Sequence, residues 1–121
     1  MEEHCRSILE QLYPGLKFAT CRPDFLKNPL TGENLELDCF NEQVLIALEY
    51  QGIQHYRYPN PFHKSEEEFR KLIIKDEYKK QVCQQIGIIL ITVPFSIPKP
   101  DIEKFITYRL LELTDPENLE N

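Results

Sequence analysis

Apolar residues Cys5, Ile8, Leu9 and Leu12 recur at the three- and four-residue spacing of an amphipathic helix, which predicts a helix from Glu2 to Leu12 ended by Pro14-Gly15. Residues 20–34 carry two prolines, a glycine and two asparagines and read as an ordered loop, packed down through Phe25 and Leu30. The period then becomes two. Leu35 to Phe40 and Val44 to Gln51 are strand-like runs separated by Asn41-Glu42-Gln43, the pattern of a β-hairpin. Alternation puts Glu36, Asp38 and Phe40 on one face of the first strand and Leu35, Leu37 and Cys39 on the other; in the second, Leu45, Ala47, Glu49 and Gln51 oppose Val44, Ile46, Leu48 and Tyr50. Ser65-Glu66-Glu67-Glu68 is a capping box, and the long helix it opens should run to Gly87 with Phe69, Leu72, Ile73, Asp76, Val82, Cys83 and Ile86 inward. Ile88 to Val93 is an apolar strand that a strand-helix-strand crossover makes parallel to the second strand. Asp101 to Leu113 closes the chain as a helix with Ile102, Phe105, Ile106, Leu110 and Leu113 inside. The expected architecture is α/β in the broad sense, an α+β mixed sheet: a β-hairpin plus a β-α-β crossover flanked by helices, one domain over residues 1–121 with 115–121 a frayed acidic tail.

Composition agrees with one globular domain: 121 residues, 41% hydrophobic and 28% charged. The longest apolar runs, Val44–Leu48 and Ile86–Val93, fall far short of the ~20 residues of a membrane span, so no membrane association is expected. The start, Met1-Glu2-Glu3-His4, is acidic where a secretory signal is basic and then apolar, which places the expected home inside the cell, in cytoplasm or nucleus. Cys5, Cys21, Cys39 and Cys83 are scattered with no C-x-x-C pair, which favours reduced thiols and argues against structural zinc. A net charge of -6 opposes a polyanionic partner on average. The average hides an asymmetry, since residues 57–80 hold seven of the 14 basic groups and residues 1–50 hold four basic against nine acidic.

The chemistry starts from a misfit. A carboxylate on an apolar strand is costly unless something neutralises it. Asp38 and Glu49 lie on the two hairpin strands; if Asn41 pairs with Val44 around a Glu42-Gln43 turn, Asp38 sits opposite Ala47 with Glu49 its diagonal neighbour. Two carboxylates so placed, with waters, are what Mg²⁺ prefers; two strand-end carboxylates facing solvent are the alternative. Gln51 stands on the same face as Glu49, giving the spacing D-x(10)-E-x-Q.

That spacing resembles the PD-(D/E)xK nuclease superfamily, and more closely its branch shaped like the very-short-patch-repair endonuclease. The resemblance rests on Leu37-Asp38-Cys39-Phe40, Ala47-Leu48-Glu49-Tyr50-Gln51-Gly52-Ile53-Gln54-His55, Lys75-Asp76-Glu77-Tyr78-Lys79-Lys80 and Gln85-Ile86-Gly87-Ile88, in that order, over about residues 2–95. It implies a restriction-endonuclease-like core and metal-dependent hydrolysis of nucleic-acid phosphodiesters, DNA rather than RNA, with Asp38 and Glu49 holding Mg²⁺ (or Mn²⁺). Gln51 stands where most members have Lys; it orients water but brings no charge, which Lys79, Lys80 or a second metal would supply. His55 would act as general acid or base or touch the phosphate, Asp76 would orient His55 or Lys80, and Glu2, with Glu3 its competitor, would complete the metal site. Asp24 spells a literal Pro-Asp pair but lies in a Pro-flanked loop. Arg57, Lys64, Arg70, Lys75, Lys79 and Lys80 are the expected nucleic-acid contacts, with Arg22, Lys27 and Lys71 further candidates and Tyr56, Tyr58 and Phe62 available to stack on bases. The alternative is a nuclease fold that has lost catalysis and only binds nucleic acid. So short a chain leaves target choice to substrate structure, a second copy or a partner protein.

Overall fold

A computed structural model describes residues 1–60 and 65–114; Phe62, Lys64 and the 115–121 tail named above lie outside it. The fold is α+β. Four strands, β1 (Ala19–Cys21), β2 (Leu37–Asn41), β3 (Ile46–Gln51) and β4 (Ile89–Pro94), form one mixed sheet in the order β1-β2-β3-β4. Among the described residues three α-helices cover it: α1 (Glu2–Leu12), α2 (Glu66–Ile86) and α3 (Ile102–Thr114). β2 and β3 are antiparallel, and β4 returns through α2 to lie parallel to β3, as the crossover requires.

Two apolar clusters flank the sheet. Cys39, Ile46, Leu48, Ile91 and Val93 pack against Ile8 and Leu9 of α1 and Ile102, Ile106 and Leu110 of α3. On the other face Leu26, Leu35, Leu37, Ala47 and Ile88 pack against Cys83 of α2. Helix α2 begins as expected, with Ser65 Oγ accepting the Glu68 N–H at 3.2 Å, and stops at Gly87, whose φ of +85° is the left-handed cap glycine adopts at little cost. Its inward stripe is narrower than the spacing suggested: Ile86 is 45% exposed and Cys83 is the residue fully covered.

Three expectations are corrected. The 20–34 stretch is not loop throughout, because Ala19–Cys21 adds an edge strand to β2; three residues are too few to show an alternation. Leu26, fully buried, anchors the following loop, while Phe25 and Leu30 are exposed. The hairpin register is two residues from the expected one: Asn41 pairs with Ile46 and Cys39 with Leu48, around a four-residue turn rather than two. The Asn41 side chain sets that turn by accepting the N–H groups of Gln43 (2.9 Å) and Val44 (3.1 Å) and donating to the Lys17 carbonyl (2.9 Å). Leu45 closes it at φ +54°.

Faces are also less regular than a strict period of two. Ala19 pairs with Phe40 but Cys21 pairs with Leu37, so three steps on β2 oppose two on β1. The extra residue is a bulge at Asp38-Cys39, and across it Leu37 joins the α2-side cluster while Cys39 joins the α1/α3 side. Urea denaturation tests the turn. Leu45→Gly should raise stability by roughly 0.5–1 kcal/mol, because glycine accepts the left-handed conformation that leucine resists. Asn41→Ala should lower it by about 1–3 kcal/mol, the cost of leaving turn N–H groups unpaired.

Candidate functional site

The corrected register decides the geometry of the site. Asp38 and Glu49 are the residues that follow the Cys39–Leu48 pair on the two strands, at the point where the backbone pairing gives way to side-chain hydrogen bonds. The two carboxylates interlock with each other's strand: Glu49 Oε2 accepts the Asp38 N–H at 3.2 Å, and Asp38 Oδ2 accepts the Tyr50 N–H at 3.1 Å. Glu49 is buried and Asp38 half-buried. Burial, and then the neighbouring Glu49 charge and hydrogen bond, push the Asp38 carboxyl up to about 7. The pair is thus short of positive charge.

Cations come from two helices. Lys79 of α2 places Nζ 2.5 Å from Glu49 Oε1, with both side chains largely covered. Lys80, the other lysine weighed for this role, instead faces solvent beside Glu77 at 3.6 Å. Arg6 of α1 was missed by sequence reasoning, whose only signal was its spacing to Glu2 and Glu3. Its guanidinium donates to the carbonyls of Phe18 (2.7 Å) and Asp38 (2.7 Å), to Thr20 Oγ1 (2.8 Å) and to Glu2 Oε2 (3.1 Å), and also pairs with Glu3. It ties α1 to β1 and to the bulge that carries Asp38.

Glu2 therefore reaches the site from the helix N-terminus, whereas Glu3 is mostly exposed against Arg6. Carboxylate oxygens of Glu2, Glu36 and Asp38 lie within 4.8 Å of one another. Glu36 was placed on the Asp38 face but not counted as a ligand. Asp24 lies apart in the loop, accepting from Asn34 at 2.9 Å.

Past β3 the chain makes a single 3₁₀ turn, Ile53–His55, which returns His55 over the sheet end. His55 Nδ1 meets Asp76 Oδ2 at 2.7 Å, which explains the Asp on the inner side of α2 and settles its partner as His55 rather than Lys80. Gln51 is buried, and its Oε1 accepts the Tyr56 hydroxyl at 2.8 Å. These side chains line one cleft of about 290 Å³: Glu2, Glu36, Asp38, Glu49, Gln51, His55 and Lys79.

The basic candidates separate. Lys79 and Lys75 line clefts, Arg57 stacks its guanidinium on Phe95 at 5.6 Å, and Arg70 pairs with Glu66 at 2.8 Å on the exposed side of α2. Lys64 lies outside the described residues. Tyr56 packs on Phe95 and Tyr58 on Phe69. All four cysteines are free, and burial pushes the Cys5, Cys39 and Cys83 thiols up to about 11, 12 and 11, so they stay protonated and apolar in character. No helix among the described residues is long and apolar enough to cross a membrane.

The chain is similar to viral proteins named only as uncharacterized. It is 41% identical over 112 residues to uncharacterized protein 033L of Invertebrate iridescent virus 3, an alignment taking 93% of this chain and 57% of the relative. It is 41% identical over 106 residues to uncharacterized protein 094L of Frog virus 3 (isolate Goorha), covering 87% and 66%, and 39% identical over 101 residues to uncharacterized protein 307L of Invertebrate iridescent virus 6, covering 79% and 50%. The chain thus spans about half to two thirds of the length of these relatives. No family model and no solved structure matches it.

The raised Asp38 carboxyl has a signed consequence for stability without divalent metal. An unfolded Asp releases its proton near ~3.9, whereas folded Asp38 holds it to about 7. Its contribution to folding is complete below ~4 and is lost as pH rises through 7. Between pH 5 and 8 the wild-type melting temperature should fall relative to that of Asp38→Asn, by about 5 °C or more, and thermal melts giving parallel profiles would refute the assignment.

Proposed function

We propose that this chain is a divalent-metal-dependent endonuclease with a restriction-endonuclease-like core, hydrolysing nucleic-acid phosphodiester bonds, with DNA as the substrate. One observation carries the reading: Asp38 and Glu49 sit on paired strands with each carboxylate accepting an N–H from the other's strand, in a cleft that also holds Lys79 and His55, the latter bonded to Asp76. A strand pair with no chemistry to perform gains nothing from carboxylates brought together, which repel.

The donor set fits a hard cation. Asp38 with Glu2 and Glu36 offers closely spaced oxygens, Glu49 is hydrogen-bonded into the same group, and the raised Asp38 carboxyl marks charge that nothing among the described residues fully offsets. Bound there, Mg²⁺ or Mn²⁺ would polarise the phosphate and stabilise the leaving oxygen. The chain's own groups do the rest. Asp76 accepts the Nδ1–H of His55 and thereby fixes its tautomer, leaving Nε2 to take a proton from water or return one to the leaving oxygen. Gln51, its Oε1 held by Tyr56, keeps its amide N–H groups to orient water or phosphate. Lys79 brings from α2 the positive charge that Gln51 lacks. Arg6 positions Asp38 and Glu2 from behind without touching substrate.

Incubating plasmid, branched and single-stranded DNA with Mg²⁺ or Mn²⁺ tests this. Wild type should cleave; Asp38→Ala and Glu49→Ala should lose about 100-fold or more; His55→Ala should lose roughly 10²–10⁴-fold. Equal activity in wild type and both carboxylate variants sinks the assignment. Metal-independent binding without cleavage, unchanged in those variants, would instead identify a binding module on a nuclease fold.

A further inference from the structure

A second cleft, of about 230 Å³, adjoins the acidic one, with Glu36, His55 and Lys79 lining both. Its own walls differ in kind: Arg22 from the loop after β1, Lys75 and Asp76 from α2, the Asp76 carboxylate turned onto His55, and an apolar floor of Leu35 and Leu72. Cations outnumber acids here, Arg22, Lys75 and Lys79 against Glu36 and Asp76, and both carboxylates already have partners in Arg22 and His55. The cations of α2 are disposed in a telling way. Arg70, Lys71 and Lys80 pair with glutamates of their own helix, and Lys79 pairs with Glu49. Lys75, half-buried, forms no ion pair among the described residues and faces the cleft. Arg22 is held across from it by the Asn34 carbonyl at 3.1 Å and Glu36 at 3.2 Å, so the residue that steadies this guanidinium also belongs to the acidic group.

Resting on the nuclease reading of the acidic cleft, we propose that this second cleft holds the sugar-phosphate unit next to the one that reacts. Arg22 and Lys75 grip its phosphate, and Leu35 and Leu72 pack against its deoxyribose. A cleft of about 230 Å³ has room for a phosphate and its sugar. A phosphate seated there extends one strand away from the metal ligands along His55 and Lys79, setting the direction in which the chain crosses the site. Contacts of this kind carry no base information, so the grip is sequence-independent.

Binding of labelled single-stranded and duplex DNA, with Ca²⁺ in place of Mg²⁺ and over a range of salt, separates this proposal from the reading beneath it. The double variant Arg22→Gln/Lys75→Gln should bind about 10-fold more weakly, with its slope of log K against log salt shallower by about 1. With Mg²⁺ its loss should fall on KM rather than kcat. Arg22→Lys should keep the slope. The charge-matched pair Lys99→Gln/Lys104→Gln, on the α3 side, should behave as wild type, which removes net charge as the explanation. If wild type binds and cleaves DNA and Arg22→Gln/Lys75→Gln matches it in affinity, slope and KM, the second cleft is overturned while the nuclease reading stands. If wild type binds no DNA at all, both are overturned.

Discussion

Two carboxylates brought together on neighbouring strands form a contact that a sheet resists, and the local structure is organised around relieving it. Asp38 and Glu49 are neither solvated nor cancelled by one another, so each takes a backbone N–H from across the pair, and further relief arrives from the flanking helices. Lys79 approaches from α2 and Arg6 from α1. The bulge in β2 belongs to the same account, because it breaks the alternation where Asp38 must be presented. What stays uncompensated is visible in the Asp38 carboxyl, which holds its proton to about neutral pH.

The helices thus do more than cover the sheet. Helix α2 delivers three groups along one side: Lys75 to the second cleft, Asp76 to His55, and Lys79 to Glu49. Positions 75, 76 and 79 fall within one turn and a third, so a single rigid element aligns a cation, a proton-handling pair and a carboxylate partner. Helix α1 contributes through its first turn, where Glu2 reaches the acidic group and Arg6 anchors it. The net charge of -6 consequently describes the molecule poorly near the site, where a carboxylate-rich cleft adjoins one richer in cations.

The sequence was a good guide wherever a feature is decided within a few residues. The ends of α2 were legible because Ser65 and Gly87 act locally, one by capping an N–H and the other by adopting a positive φ. The parallel placement of β4 followed from the handedness of crossovers. The relation of His55 to Asp76 was open between two partners, and the position of His55 on a short 3₁₀ turn decided it. The hairpin register was misjudged for a definite reason: a slip of two residues leaves every side chain on its original face, so periodicity cannot detect it. Only the four-residue turn, with Leu45 in a conformation leucine does not advertise, distinguishes the two pairings.

Sequence by itself determined the layered α+β plan and named acids, a histidine and lysines that meet at the end of the sheet. Alternation, caps and crossovers are short-range properties, written in the order of residues. Tertiary structure alone decided that Asp38 and Glu49 each bond to the other's strand, that Lys79 rather than Lys80 enters the site, that Glu36 joins Asp38 and Glu2, and that Arg6 holds them. Each of these depends on which side chains the fold brings together in space, or on which helix face turns inward. Coulomb attraction acts on distance in space, and that distance exists only once the chain has folded.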